Sequence, residues 1–236
     1  MNKLNQNTLA ECAYTHARAC EKLYVLIACE ESQAETSAFR ALGHEAYSCD
    51  IQPCRPSGRP EWHILGDCRP LLRGQTKFTT QDGAQVTVPG WDLIVCHPPC
   101  TYLCRVSSVH LIRRTETGTY INQDRYNKMV DAARFFRTCL QAKAPYVAVE
   151  NPIPMRRAGL PKPSFYACPS WFGVKYTKKT LYWVKNLPPL VAELDYPNPR
   201  EFVRASRGKY RSRTFPELAQ AIARQWSEYI IKDKSK

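Results

Sequence analysis

The chain has no apolar run long enough to cross a bilayer. Its longest, Leu23 to Ala28, falls far short of the ~20 residues a spanning helix needs. It has no CxxC pair, so the paired-thiolate spacing of a structural zinc site is missing. It has no internal repeat and no low-complexity tract, which sets aside solenoids and disordered scaffolds. The stretch from Met1 to Arg18 is polar and lacks the apolar centre of a signal peptide. The cysteines, eleven in number and therefore odd, are accordingly expected to be reduced thiols in the cytoplasm. Acidic residues are scarce as well: 21 Asp and Glu face 34 Lys and Arg, leaving a net charge of +13. That imbalance disfavours acidic-protein roles and favours polyanionic partners, nucleic acid first.

The positive charge is clustered. Arg204, Arg207, Lys209, Arg211 and Arg213 lie close together, and Lys175, Lys178 and Lys179 surround Tyr176 near Trp171. Basic side chains interleaved with aromatics suit phosphate contact combined with base stacking.

Taken in order, Thr8–Lys22 is expected to be an accessory helix. Leu23–Ala28 is a buried strand, Ala34–Leu42 a helix ended by Gly43, and Glu45–Cys49 a second strand closing on Asp50. Strand, turn, helix, glycine, strand and acid form the skeleton of a nucleotide-binding βαβ unit, in which the terminal acid accepts ribose hydroxyls. The turn Ala28-Cys29-Glu30-Glu31-Ser32 contains no glycine, however. His63–Asp67 reads as a short third strand. Residues 69–90 carry a hairpin insertion that turns at Asp82-Gly83.

The stretch Trp91–Cys104 organises the chain. Leu93-Ile94-Val95-Cys96 is a buried strand, and Pro98-Pro99 stops its hydrogen-bond ladder, leaving Cys100 at the carboxyl edge of a sheet. Ligands bind at that edge in open α/β sheets, so a thiol there is placed to act as a nucleophile. Cys96, Cys100 and Cys104 recur every four residues beside His97, but the two prolines forbid the helix that would align them, and no metal is expected. Residues 105–126 have no clear period and form a candidate active-site loop. A helix over Asp124–Ala142 follows, then a strand from Pro145 that stops at Glu150-Asn151-Pro152 and delivers Glu150 to the same edge as Cys100. Trp171–Lys185 reads as a hairpin turning at Thr177-Lys178-Lys179, and Phe215–Ile231 as the last helix.

With these residues in hand, the chain resembles the DNA cytosine-5 methyltransferases in a compact, phage-type form. The likeness rests on Pro98-Pro99-Cys100 after one apolar strand, Glu150-Asn151-Pro152 after the next, and Asp50 and Gly66-Asp67 closing the second and third strands. It implies one Rossmann-like, S-adenosylmethionine-dependent methyltransferase domain over 1–236, with a mostly parallel sheet and a C-terminal hairpin. It also implies methyl transfer to C5 of cytosine in DNA. Cys100 would be the nucleophile and Glu150 the group on ring N3. Cys29, Glu30, Asp50, Ile51, Asp67, Cys68 and Pro98 would hold S-adenosylmethionine. Pro99, Asn151, Pro152, Lys179, Arg211 and Arg213 would meet the substrate. No segment between Leu187 and Lys209 is large enough for the family's usual target-recognition domain. Two other readings are compatible with the residues: a pyrimidine nucleotide C5-methyl or other one-carbon transferase, and an inactive DNA-binding protein that keeps the fold.

Overall fold

The structure is a computed structural model that describes residues 21–175, 178–194 and 214–236. Its elements in chain order are β1 (Tyr24–Ala28), α1 (Ala34–Ala41), β2 (Glu45–Asp50), β3 (His63–Leu65), α2 (Arg69–Leu72), β4 (Lys77–Thr79), β5 (Gln85–Thr87), β6 (Leu93–Cys96), β7 (Ile112–Thr115), β8 (Gly118–Ile121), α3 (Gln123–Leu140), β9 (Tyr146–Pro152), β10 (Phe165–Ala167), β11 (Thr180–Lys185) and α4 (Pro216–Lys234). Nearly all of the accessory helix expected over Thr8–Lys22 lies outside the described residues; Glu21 and Lys22 are non-helical.

Seven strands form one α/β sheet in the order β10-β11-β9-β6-β1-β2-β3. The run β3-β2-β1-β6-β9 is parallel, and β11 is antiparallel to both of its neighbours. The central strands are continuously apolar because both faces are covered. Leu26, Ile94, Val147 and Val149 pack under α3 through Met129, Ala133 and Phe136. Val25, Ile27, Val95 and Ala148 pack under α1 and α4 through Phe39, Ile222 and Trp226. The chain runs from β1 outward through β2 to β3, then returns to the other side of β1 to start β6. The carboxyl ends of β1 and β6 therefore flank a topological switch point, where a crevice opens in such sheets.

The glycine-free first turn adopts a shape usually left to glycine. Cys29 and Gln33 both have left-handed backbones, with φ of 63° and 56°. A side chain at such a φ is strained. Here the turn is held by the Cys29 and Glu30 amides, which donate to Cys49 O at 2.7 and 3.3 Å. Gln33 is fixed by its amide group: Nε2 donates to Arg59 O at 2.9 Å, and Oε1 accepts from the Arg59 amide at 2.6 Å.

Two expectations need correction. The segment expected to pair within Trp171–Lys185 does not. Pro169–Phe172 is a 3-10 turn ended by Gly173 at φ 91°, and β11 pairs instead with β10, Tyr182 opposite Phe165. Proline at the first position and a left-handed glycine after the last favour that turn over a strand. Residues 105–126 are not an unstructured loop: a 3-10 helix over Arg105–His110 is followed by the hairpin β7–β8, and α3 begins at Gln123. The β4–β5 hairpin of the 69–90 insertion is present and is not wholly superficial, since Phe78 stacks on Trp91 at 5.7 Å.

Candidate active site

Pro98 and Pro99 end β6 as a ladder strand, and the chain turns through 100–104, where the Leu103 and Cys104 amides donate to Cys100 O at 3.0 and 2.9 Å. The loop after β9 is stitched to this turn. Asn151 Nδ2 donates to Pro98 O at 2.9 Å, Arg105 N to Ile153 O at 2.8 Å and Met155 N to Leu103 O at 2.7 Å. Asn151 is buried and thus supports the Pro-Pro turn, while Pro99 is exposed. Cys100, half-buried, and Glu150 sit at the carboxyl ends of neighbouring strands and act on each other electrostatically.

The thiols differ in kind. Cys96 is fully buried, with its sulfur against Cys139. Cys104 is backbone-bridged to Pro154. At Cys100, burial and the charges of Cys104 and Glu150 push the thiol up, and the Lys178 ammonium pulls it back down. At Glu150, burial pushes the carboxyl up, but the His97 hydrogen bond and the charges of Lys178 and His97 outweigh it and leave it below the ordinary value. Lys178 therefore acts on both groups. Lys179, the lysine expected at the substrate, stands over the Tyr166 ring at 4.1 Å. A crevice is lined by Glu150, Lys178, Thr180, Tyr182 and Phe215. Arg211 and Arg213, also expected at the substrate, lie outside the described residues.

On the other side of the switch point, Asp50 closes β2, its Oδ1 accepting the Gln52 amide at 2.8 Å, and burial raises its carboxyl. Ile51 beside it is 74% exposed, an apolar surface with no protein cover. Asp67 is held by Arg69, with Oδ2 2.8 Å from Nε, and this bond lowers its carboxyl. The buried Cys68 sulfur meets that of Cys29. Glu30 is turned away from the crevice: its carboxylate accepts the Glu35 amide at 2.7 Å and the Thr36 hydroxyl at 2.7 Å, capping α1 from within. Glu31 is clamped by Arg55, with two contacts of 2.6 Å. Both acids are engaged by the protein itself, and the α1 N-terminus is occupied by the Glu30 carboxyl.

His97 had no assigned role in the sequence, yet its ring lies between Glu35 and Glu150, with Nε2 3.1 Å from one and Nδ1 3.2 Å from the other. Burial alone would lower the imidazole, but the two carboxylates outweigh it and raise it well above its ordinary value. Among the described residues no group of three or more His, Cys, Asp and Glu side chains is arranged to hold a metal. No helix among them is long and apolar enough to cross a membrane.

No protein-family model matches this chain, and no curated protein matches it. The functional reading therefore stands on the residues and their geometry.

The buried acid Glu30 gives a stability test. Burial and the charge of Glu35 push its carboxyl from 4.5 to about 7, against the Thr36 bond, the His97 charge and the Glu35 amide. Between those values the folded chain keeps a proton that the unfolded chain releases, so stability falls as pH rises through the window. His44 and His63, both lowered by burial, act in the opposite sense up to pH 6.5, so the difference from a variant is the readout. Relative to Glu30→Gln, the unchanged protein should lose on the order of 3 kcal/mol between pH 4.5 and 7. Urea melts of both proteins at the two pH values measure this. A constant difference would mean that Glu30 ionises normally.

Proposed function

We propose that the protein transfers a methyl group from S-adenosylmethionine to C5 of cytosine in DNA through a covalent adduct with Cys100. The observation that carries this reading is the pairing of Cys100 with Glu150 at the carboxyl ends of adjacent parallel strands, with Lys178 acting on both. Cytosine C5 is too weak a nucleophile to take up a methyl group unaided. Addition of the Cys100 thiolate at C6 makes C5 electron-rich, and the charge that moves into the ring is met at N3 by Glu150. C5 could then accept the methyl group that the cofactor would supply. Its hydrogen leaves as a proton to solvent water, and the electron pair of that C–H bond restores the C5=C6 double bond as the C6–S bond breaks and releases Cys100.

The mostly parallel sheet and its β1/β6 switch point support a Rossmann-like methyltransferase fold. The residues fit the nucleoside half of the cofactor. Asp50 would accept the ribose hydroxyls, Ile51 would lie on the adenine face, and Asp67 would share its carboxylate between Arg69 and the adenine amine. The Cys29–Cys68 contact and Pro98 would form the floor between them. When bound, the cofactor supplies an electrophilic methyl group on a sulfonium. Asp50→Ala should weaken its binding by ~1–3 kcal/mol, the cost of leaving the ribose hydroxyls without their acceptor. Isothermal calorimetry reads this; equal affinity in the two proteins would remove Asp50 from the site.

DNA as substrate is supported by the surface that follows Cys100. The hairpin β7–β8 carries exposed Arg113, Arg114 and Tyr120, and Arg125 and Lys128 both lie over the Tyr102 ring. The exposed hairpin cations, Tyr120 and Lys128, with the half-buried Tyr102 and Arg125 beside them, suit a phosphate backbone and unstacked bases. A cytoplasmic location agrees with this reading. Transfer of labelled methyl groups from S-adenosylmethionine to DNA, compared with transfer to deoxycytidine monophosphate, is the test. Incorporation only into the mononucleotide would replace DNA with a nucleotide substrate.

A further inference from the structure

His97 follows the last residue of β6 and places an imidazole between two carboxylates in a largely buried site. Its side chain is 13% exposed, that of Glu35 0% and that of Glu150 15%. Glu35 is the unusual member. It projects from the first turn of α1, and neither carboxylate oxygen has a hydrogen-bond partner; its contact with Nε2 is an ion pair off the hydrogen-bond line. A buried carboxylate with no hydrogen bonds is costly unless a cation stands beside it. Glu150 is used asymmetrically: Oε2 accepts from His97 Nδ1, while Oε1 is buried with no protein partner, in a side chain that lines the crevice with Lys178. An unpartnered buried oxygen at the crevice is poised for a substrate group.

We propose that Glu35, His97 and Glu150 form a proton relay, in which His97 is a positioning residue that orients Glu150 and supplies it with the proton that cytosine N3 takes up. The inference rests on the methyltransferase reading above. As the Cys100 Sγ–C6 bond forms and the C5=C6 electron pair shifts into the ring, the Nδ1 proton of His97 passes to the Glu150 carboxylate, and the neutral acid so formed hands a proton on to N3. Glu150 returns to a carboxylate and His97 is left neutral beside Glu35. When C5 has lost its hydrogen and the C6–S bond breaks, N3 returns its proton along the same path. The proton makes two short hops, and none has to enter from bulk water. The ionisable groups facing the ring are Glu35 of α1, Glu30 of the preceding turn and Glu150 of β9, with Tyr182 of β11 behind the carboxylates and Lys178 beyond Glu150.

The sign of the pH effect follows. Without the imidazolium, the proton for N3 must be held by the Glu150 carboxyl itself. Burial and the second carboxylate raise that group, but a carboxyl starts about 2 units below the imidazole that it replaces as the proton source. His97→Gln should therefore move the basic limb of the adduct-formation profile to lower pH by at least about one unit. At pH 8 it should slow trapping of a 5-fluorocytosine oligonucleotide by ~10²-fold, the scale of lost general acid catalysis. Glu35→Gln keeps the shape of the site and should move the limb the same way by less. Circular dichroism shows that each variant is folded. In a second measurement, the ring nitrogen shifts of His97 should remain those of imidazolium above pH 7.5 in the unchanged protein. An adduct whose basic limb is unmoved in both variants, or a ring neutral at pH 7, would overturn the relay alone. No adduct with the unchanged protein would overturn the methyltransferase reading, and the relay's role with it.

Discussion

Cys100→Ala is expected to abolish covalent trapping of 5-fluorocytosine DNA and to lower methyl transfer by at least ~10³-fold, the scale on which loss of a nucleophile disables an enzyme. Fluorine at C5 cannot leave as the proton does, so the adduct persists and can be mapped by intact mass and peptide sequencing. Cys96→Ala and Cys104→Ala should still form it. Cys96 is sealed in the core against Cys139, and Cys104 belongs to the backbone bridge to Pro154. Because burial and the neighbouring charges raise the Cys100 thiol, trapping should also speed up with pH on the acid limb, as the thiolate fraction grows. An adduct on another cysteine would remove Cys100 from the centre of the mechanism.

The largest loss of stability is expected from Trp226→Ala. The indole is fully buried between the sheet and α4, packs edge-on to Tyr182 at 6.1 Å and donates Nε1–H to Pro188 O at 3.2 Å. Its removal leaves a cavity in the layer under β1, β6 and β9 and an unpaired carbonyl, a cost of ~3–5 kcal/mol. Chemical denaturation of both proteins measures it; a change below about 1 kcal/mol would mean that α4 is not an integral layer. The layer also backs Glu150, since Tyr182 lies opposite it in register and Phe215 and Leu218 line the same crevice.

The strand cores were legible because a parallel sheet covered on both faces needs uninterrupted apolar residues, and Leu23–Ala28 and Leu93–Cys96 have them. The two edge residues were legible for a related reason: Pro98-Pro99 and Pro152 each mark where an apolar strand stops, so Cys100 and Glu150 are fixed by local chemistry. His97 was not legible as the partner of Glu35 and Glu150. The three are far apart in the chain and meet only because β6 lies between β1 and β9. The available signal was an unexplained acid in the first turn of α1 and a histidine directly after a buried strand. Lys178 was hidden beside Lys179, since nothing local says which of two adjacent lysines turns toward the sheet edge. The β7–β8 hairpin escaped notice because both of its faces are exposed, so the apolar alternation that marks a half-buried strand never develops. The first turn lacks the glycines that a nucleotide-binding turn ordinarily uses, yet Cys29 and Gln33 take the left-handed conformations themselves.

Nucleoside mass spectrometry of DNA from cells expressing the protein tests the central claim most directly. The account predicts a 5-methylcytosine peak with the unchanged chain and none with Cys100→Ala at equal expression. DNA with no modified base, or with the methyl group on an exocyclic nitrogen of cytosine or adenine, would contradict it.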